Sequence, residues 1–427
     1  MENSNTTNNN TDAEEAEPTE ITEEKEDASL RDSKRRDPSI SDVVRELEEM
    51  KINVGYDQMN TAITVTGPLP WSAEGERRKW DDLDDAQLRS LLQDRINLRS
   101  DKVLDNAMVI YSRNRSFNPL TDDLDSLHWD GTERAGHLLH KSLGCPDTPY
   151  TSAAEIAYLC GSIMRAYHPG AKFDSVLTLV GPGGIGKSTF VRLMAIKDSY
   201  FTDSVGDLGN VKATGEILRG KWQAELSELS GMNGRSLESV KAGITRQKDT
   251  YRMSYGKRAC DYPRTSVFIA TTNTIGFLKE KSSGARRFLP VLCGIEEPEM
   301  SVHAPEFAET VKQTWAEVIS WMKSSDPRFS CTLSPEMEVE AANQRAGFLE
   351  EDPRVDAINA YLANNRDHPV CSREIAEKVL MKDPDTKLCR DICCILTNEC
   401  PGWVFSKKIS CGSYGKQRAW CYDPARV

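Results

Sequence analysis

Residues 181–189, Gly-Pro-Gly-Gly-Ile-Gly-Lys-Ser-Thr, constrain this chain more than any other stretch. They match G-x-x-x-x-G-K-[S/T], the pattern of a loop that wraps phosphate. Such a loop works between a strand and a helix, and both are predicted here. Residues 175–180 read as a short buried strand, and residues 189–195 as a helix. That unit points to an α/β core with a parallel sheet. Gly181, Gly183, Gly184 and Gly186 let the backbone curl, so its N–H groups and the helix N-terminus face the phosphates. Lys187 is predicted to meet the β- and γ-phosphates. Ser188 is predicted to hold Mg²⁺, with Thr189 beside it.

The net charge of −12 argues against a uniformly basic nucleic-acid binder, but the charge is uneven. Residues 1–30 hold ten acids against Lys25 alone. Near the other end, Lys407, Lys408, Lys416, Arg418 and Arg426 stand against only Asp423. Whole-chain charge is therefore a poor guide to what the folded part binds. No apolar run resembles a signal peptide or a membrane span, so no membrane association is expected. Eight of the twelve cysteines follow residue 330. They lack paired C-x-x-C spacing, so reduced thiols are favoured over a zinc site.

Four regions are predicted. Residues 1–40 form an acidic, low-complexity tail expected to be disordered. Residues 41–150 are mainly helical, beginning with a helix capped by Ser41. Within them, residues 61–66 alternate like a strand. Residues 151–330 form the phosphate-loop core with a following helix. Residues 345–427 form a small unit of three helices, at 353–364, 372–381 and 386–398, followed by a basic two-stranded hairpin. That is the order of a winged helix.

Further motifs follow the phosphate loop in chain order. Residues 221–228, KWQAELSE, read as a second strand ending in acids. Glu225 and Glu228 are candidates to hold the Mg²⁺ shell and to orient the attacking water. The alternative is a solvated acidic helix. Residues 267–273, VFIATTN, read as a strand whose tip places Asn273 near the γ-phosphate, or as a plain polar cap. Arg286 and Arg287 follow a glycine turn. They suit a γ-phosphate reached from a neighbouring subunit, or else a surface ion pair. Between these motifs, residues 240–258 hold six bases, two tyrosines and one acid. Lys241, Arg246, Lys248, Tyr251, Arg252 and Lys257 suit a loop or hairpin that tracks phosphates and stacks bases. A solvated basic face is the plainer alternative.

Taken together, the phosphate loop, WQAELSEL, VKAGITRQKDTYRMSYGKR, VFIATTN and GARRFLPV resemble the virulence-associated protein E family in order and spacing. FNPLTDDLDSLHWDGTER, TWAEV and EDPRVDAINAYL extend the resemblance to about residues 100–427. These are P-loop ATPases of phages and mobile islands, related to superfamily 3 helicases and AAA+ ATPases. The resemblance implies ATP and Mg²⁺ at Lys187 and Ser188, with Glu225 and Glu228 as the acidic pair. It implies Asn273 as γ-phosphate sensor and Arg286 or Arg287 as the finger. A homo-hexameric ring acting in the host bacterial cytoplasm follows, with single-stranded DNA in a central channel.

The expected fold is thus a P-loop, AAA+-like α/β core with a helical N-terminal region and a C-terminal winged-helix-like domain. The expected function is an ATP-dependent DNA helicase or replication initiator. Lys407, Lys408, Lys416 and Arg418 would contact origin duplex DNA. Many relatives carry a primase ahead of the ATPase; none is predicted here, which makes a separate primase an expected partner. Glu225 and Glu228 are three apart, not adjacent. That spacing keeps open an origin-binding or assembly protein with little helicase activity, and an ATPase that moves protein or packages DNA is a further rival.

Overall fold

The computed structural model describes residues 37–227, 234–253, 258–278, 285–349 and 352–426. The acidic tail to residue 36, Glu228 and Lys257 lie outside the described residues. The chain divides into two compact units, Met1–Ser126 and Leu127–Val427.

The first unit is less helical than its sequence predicts. Helix α1 (Ile40–Glu49) precedes strands β1 (Val54–Asp57), β2 (Ala62–Val65) and β3 (Arg78–Lys79). Helices α2 (Asp82–Ile96) and α3 (Asp101–Arg113), strand β4 (Ser116–Phe117) and helix α4 (Pro119–Asp125) follow. The strands form one sheet in the order β3-β2-β1-β4. The cap of α1 is Ser39, not Ser41: Ser39 accepts from the Asp42 N–H, and Asp42 returns a bond to the Ser39 N–H. This reciprocal box satisfies two helix-end donors, which a serine two residues later would leave open. Val43, Leu47, Val54, Leu88, Leu92 and Tyr111 share the core.

The second unit opens with α5 (Leu138–Leu143) and α6 (Pro149–Tyr167). Strand β5 (Val176–Val180) leads to α7 (Lys187–Met194). Then come β6 (Phe201–Thr202), α8 (Val211–Leu218), β7 (Gln223–Ser227) and α9 (Gly234–Ile244). A hairpin, β8 (Lys248–Tyr251) and β9 (Cys260–Pro263), precedes β10 (Val267–Thr272) and β11 (Phe288–Leu292). Five strands form a wholly parallel sheet, β11-β5-β10-β7-β6. On one face, Val176, Val180, Ala224, Leu226, Phe268 and Ala270 share a core with Leu208 and Val240. On the other, Trp222 packs on Trp315 at 4.6 Å between ring centroids. Trp315 lies on α10 (Phe307–Ser324), and its Nε1 donates to the Met194 carbonyl at the end of α7.

The break between units falls at residue 126, not at 150. Two buried carboxylates explain why residues 134–139 belong to the core. Glu155 on α6 accepts the N–H groups of Gly136, Leu138 and Leu139 at 2.8–3.1 Å. Glu317 on α10 accepts those of Arg134 and Ala135 at 2.7 and 3.0 Å. Burial pushes the Glu155 carboxyl up from 4.5 to about 7, outweighing the three N–H donors that lower it. Folding thus favours its protonated form. The associated stability is full below pH ~4.5 and is lost as pH rises to about 7, on the order of 3 kcal/mol. Glu155→Gln is expected to flatten that slope. Urea unfolding at pH 5 and pH 8 checks it; equal slopes in wild type and variant refute it.

A further helix, α11 (Pro335–Ala346), runs across the expected domain start at 345. Just after it, Phe348 is buried against Phe277, and its carbonyl accepts the Leu278 N–H. The core therefore extends to residue 349. Helices α12 (Pro353–Ala363), α13 (Ser372–Lys378) and α14 (Thr386–Asn398) follow, then strands β12 (Trp403–Ser410) and β13 (Lys416–Tyr422). Both strands run longer than their sequence predicts, while α13 stops at Lys378.

Candidate nucleotide site and basic hairpins

Strand β5 lies between β10 and β11, the last two strands of the sheet in chain order. The loop after β5 therefore opens where the strand order reverses, the usual place for a ligand in an open α/β sheet. Gly184 and Gly186 have φ of 86° and 95°, which only glycine adopts freely. A side chain at Gly186 would also strike Val302, while one at Gly184 would meet nothing within 4 Å. Gly186 caps α7 without a side chain, so the first N–H groups of that helix face the loop. Gly181 and Gly183 lie in the same loop, and Thr189 in the first turn of α7.

Lys187 is buried, and its Nζ donates to the carbonyls of Gly181 and Pro182, both at 2.7 Å. It also donates to Asn273 Oδ1 at 2.9 Å. Burial holds its pKa below the usual lysine value, against the pull of Cys293 and Glu225. Ser188 Oγ donates to Glu225 Oε1 at 2.6 Å, and Thr271 Oγ1 donates to the same oxygen at 2.6 Å. Strand alternation explains the grouping. Ala224 and Leu226 turn into one core, so Glu225 turns to the opposite face. There β10, paired with β7 through Ile269 and Glu225, supplies Thr271. A hydroxyl beside a buried carboxylate is the hard-oxygen donor set that suits Mg²⁺. The open glycine turn suits phosphate, so the residues present fit both groups.

Sequence reasoning placed Thr271 at a strand tip without a role. Its signal was the position, two residues before Asn273. Arg286 and Arg287 sit in a short turn, Ala285–Arg287, just before β11. Phe288 pairs with Val176 at the start of β5, whereas the phosphate loop follows Val180 at its end. Four strand steps separate them, roughly 13 Å. Arg286 is exposed; Arg287 is half-buried, with its Nε enclosed and unpaired.

The basic block folds as the β8–β9 hairpin between β7 and β10. Here the structure corrects part of the expected contact set. Lys241 and Tyr251 are buried. Tyr251 stacks on Tyr262 at 4.5 Å instead of facing solvent. Arg246 Nη2 donates to the Leu208 carbonyl at 2.8 Å, and Nη1 lies 3.6 Å from Asp249. Inside the fold, Arg264 Nε and Nη2 donate to both carboxylate oxygens of Asp249. Burying these bases costs less than burying an unpaired Asp249, so they anchor the hairpin. Lys248 is exposed but paired with Asp261 at 2.5 Å. Arg252 and Arg258 stand exposed just past the ends of the paired strands.

Lys407, Lys408, Lys416 and Arg418 are all exposed on the β12–β13 hairpin. The pairing slips between Ser406 and Ile409, and the two adjacent lysines occupy that irregularity. A bulge breaks strict alternation, which lets neighbouring side chains both face solvent. Among the described residues, no group of three or more His, Cys, Asp or Glu side chains is placed to hold a metal ion, and no helix is long and apolar enough to cross a membrane.

Comparison with known proteins agrees with this architecture. The apo structure of the NrS-1 C terminal region (305-718) superposes on 91% of this chain and 100% of its own, with a TM-score of 0.50 and 12% identity. The A form of the same region covers 89% of this chain and 98% of its own, at 10% identity and a TM-score of 0.47. At such identity the first likeness is one of fold alone. No curated protein matches the sequence. The virulence-associated protein E-like domain matches residues 124–350, a span holding the phosphate loop, Glu225, Asn273 and the β8–β9 hairpin. That match covers more than half of the chain, which belongs to the virulence-associated protein E-like family.

Proposed function

We propose that this chain is an ATP-driven DNA helicase or initiator in the replication of a phage or mobile element. One observation carries the reading: at the reversal point of a parallel sheet, Lys187 bonds Asn273 while its chain neighbour Ser188 bonds Glu225, which also holds Thr271. Lys187 and the N–H groups at the start of α7 hold the phosphates. Ser188 and Glu225 hold Mg²⁺, and Thr271 fixes the Glu225 carboxylate. Asn273 orients the reacting end. MgATP, when bound, supplies the phosphoanhydride bond whose cleavage drives movement. The strand order, with the phosphate-loop strand second from one edge, supports an AAA+-like core.

The arginine positions favour a ring. Neither Arg286 nor Arg287 lies on the phosphate-loop side of its own sheet, so a finger would come from the next copy. A homo-hexamer is the proposed form. Arg252 and Arg258, just past the ends of the paired strands, with Lys257, are the proposed contacts to single-stranded DNA. The β12–β13 hairpin, read as the wing of a winged helix, is proposed to bind origin duplex DNA, and a separate primase is a proposed partner. The wing makes a salt-dependent prediction: replacing Lys407 and Lys408 by alanine should lower the slope of log affinity against log salt by about 2. Duplex-binding titrations across salt read it; an unchanged slope removes the wing from the interface.

A second reading has its own support. The position next to Glu225 is Leu226, buried in the core, and no second described carboxylate bonds Ser188. An assembly switch that binds ATP without rapid turnover fits that arrangement. ATP hydrolysis with and without single-stranded DNA, plus strand displacement on a fork, separates the two. Stimulated turnover with displacement supports the helicase. Binding and assembly without turnover supports the switch.

A further inference from the structure

We propose that Gly215 is the seat of the β8–β9 hairpin, a positioning residue that sets where Arg252 and Arg258 stand. The proposal rests on reading that hairpin as the element that meets DNA.

Gly215 is the fifth residue of the eight-residue helix α8. Glycine inside a helix costs about 1 kcal/mol relative to alanine, so its presence there asks for a reason. The reason lies across the interface. A methyl group at 215 would overlap the Tyr251 ring, whose Cδ1 lies 2.9 Å from that point. Tyr251 is the last residue of β8, and its outer side rests on Tyr262 of β9. The ring therefore fills the space between a bare stretch of helix backbone and the opposite strand.

Neighbouring contacts fix the same joint. Arg219, just past the end of α8, reaches Met253 Sδ at 3.1 Å, two residues beyond Tyr251. Arg264 binds Asp249, two residues before Tyr251 on β8, and also donates to the Gly243 carbonyl at the end of α9. The hairpin base is thus clamped on two sides, and Arg252 and Arg258, just past the ends of the paired strands, take their positions from the clamp. Among the described residues the Tyr251 hydroxyl has no hydrogen-bond partner, so the ring makes the seat. From α8 the chain runs directly into β7, which carries Glu225.

The test compares wild type, Gly215→Ala, Tyr251→Phe and Tyr251→Leu. Two quantities are read: amide hydrogen exchange in β8 and β9, and ATP turnover with and without oligo-dT. Gly215→Ala is expected to speed exchange in both strands and to cut DNA stimulation about tenfold, while turnover without DNA persists. Tyr251→Phe should keep the stimulation, because the hydroxyl bonds nothing. Tyr251→Leu empties the seat without overlap and should also speed exchange, which covers a failure of Gly215→Ala to fold. Wild-type exchange in both Gly215→Ala and Tyr251→Leu overturns the seat. A wild type not stimulated by DNA instead defeats the functional reading, and exchange alone then decides the seat.

Discussion

Replacing Lys187 by alanine is expected to lower ATP turnover by a factor of about 10²–10³ or more, with or without DNA. The ammonium sits against the glycine turn, where it would meet charge developing on a transferring phosphoryl group. The variant also strands three acceptors, the carbonyls of Gly181 and Pro182 and the Asn273 amide oxygen. Water can reach the exposed Pro182 and Asn273, so the cost in stability should stay near 1–3 kcal/mol. Steady-state turnover beside a thermal melt separates the two effects. A variant that folds and still turns over at the wild-type rate would remove this loop from the chemistry.

Arg286→Ala should lose about 10³-fold in turnover while keeping nucleotide affinity. The preference for Arg286 over Arg287 comes from placement. Arg286 is exposed, whereas Arg287 has its Nε enclosed by its own chain. Both lie at the end of β11 remote from the phosphate loop of the same copy. Mixing gives the sharper measurement. Rings doped with inactive Lys187→Ala and inactive Arg286→Ala subunits contain some junctions with an intact Lys187 on one side and an intact Arg286 on the other. Turnover should reappear on mixing. No recovery, with mixed rings demonstrated by native mass, would falsify the shared site. Recovery with Arg287→Ala but not with Arg286→Ala would reverse the assignment between them.

The grouping around Lys187 and Ser188 is legible because its motifs are local. A glycine turn needing positive φ, a lysine and serine opening a helix, and a polar strand tip are each written within a few residues. Even so, the role of Thr271 needed the pairing of β10 with β7. The acidic motif was half legible: Glu225 turns to the site because alternation sends Ala224 and Leu226 into the core. The basic block misled at Lys241, Arg246 and Tyr251, which sequence composition makes look like nucleic-acid contacts. Composition counts charges and rings but does not say which of them face inward. Asp249, the lone acid in that block, was the clue, since a buried acid recruits nearby bases.

Sequence alone therefore determined the glycine turn between a strand and a helix, the parallel α/β core and the order of its motifs, because those follow from short-range backbone geometry and hydrophobic period. Tertiary structure alone decided the rest. It made a four-stranded sheet of a region that reads as helical, since short strands carry weak periodicity. It drew residues 134–139 into the core through Glu155 and Glu317, partners about twenty and more than 180 residues away in the chain. It also sorted the bases of one block into anchors and exposed side chains. Burial is a property of what packs against a residue, and a chain read one window at a time does not contain it.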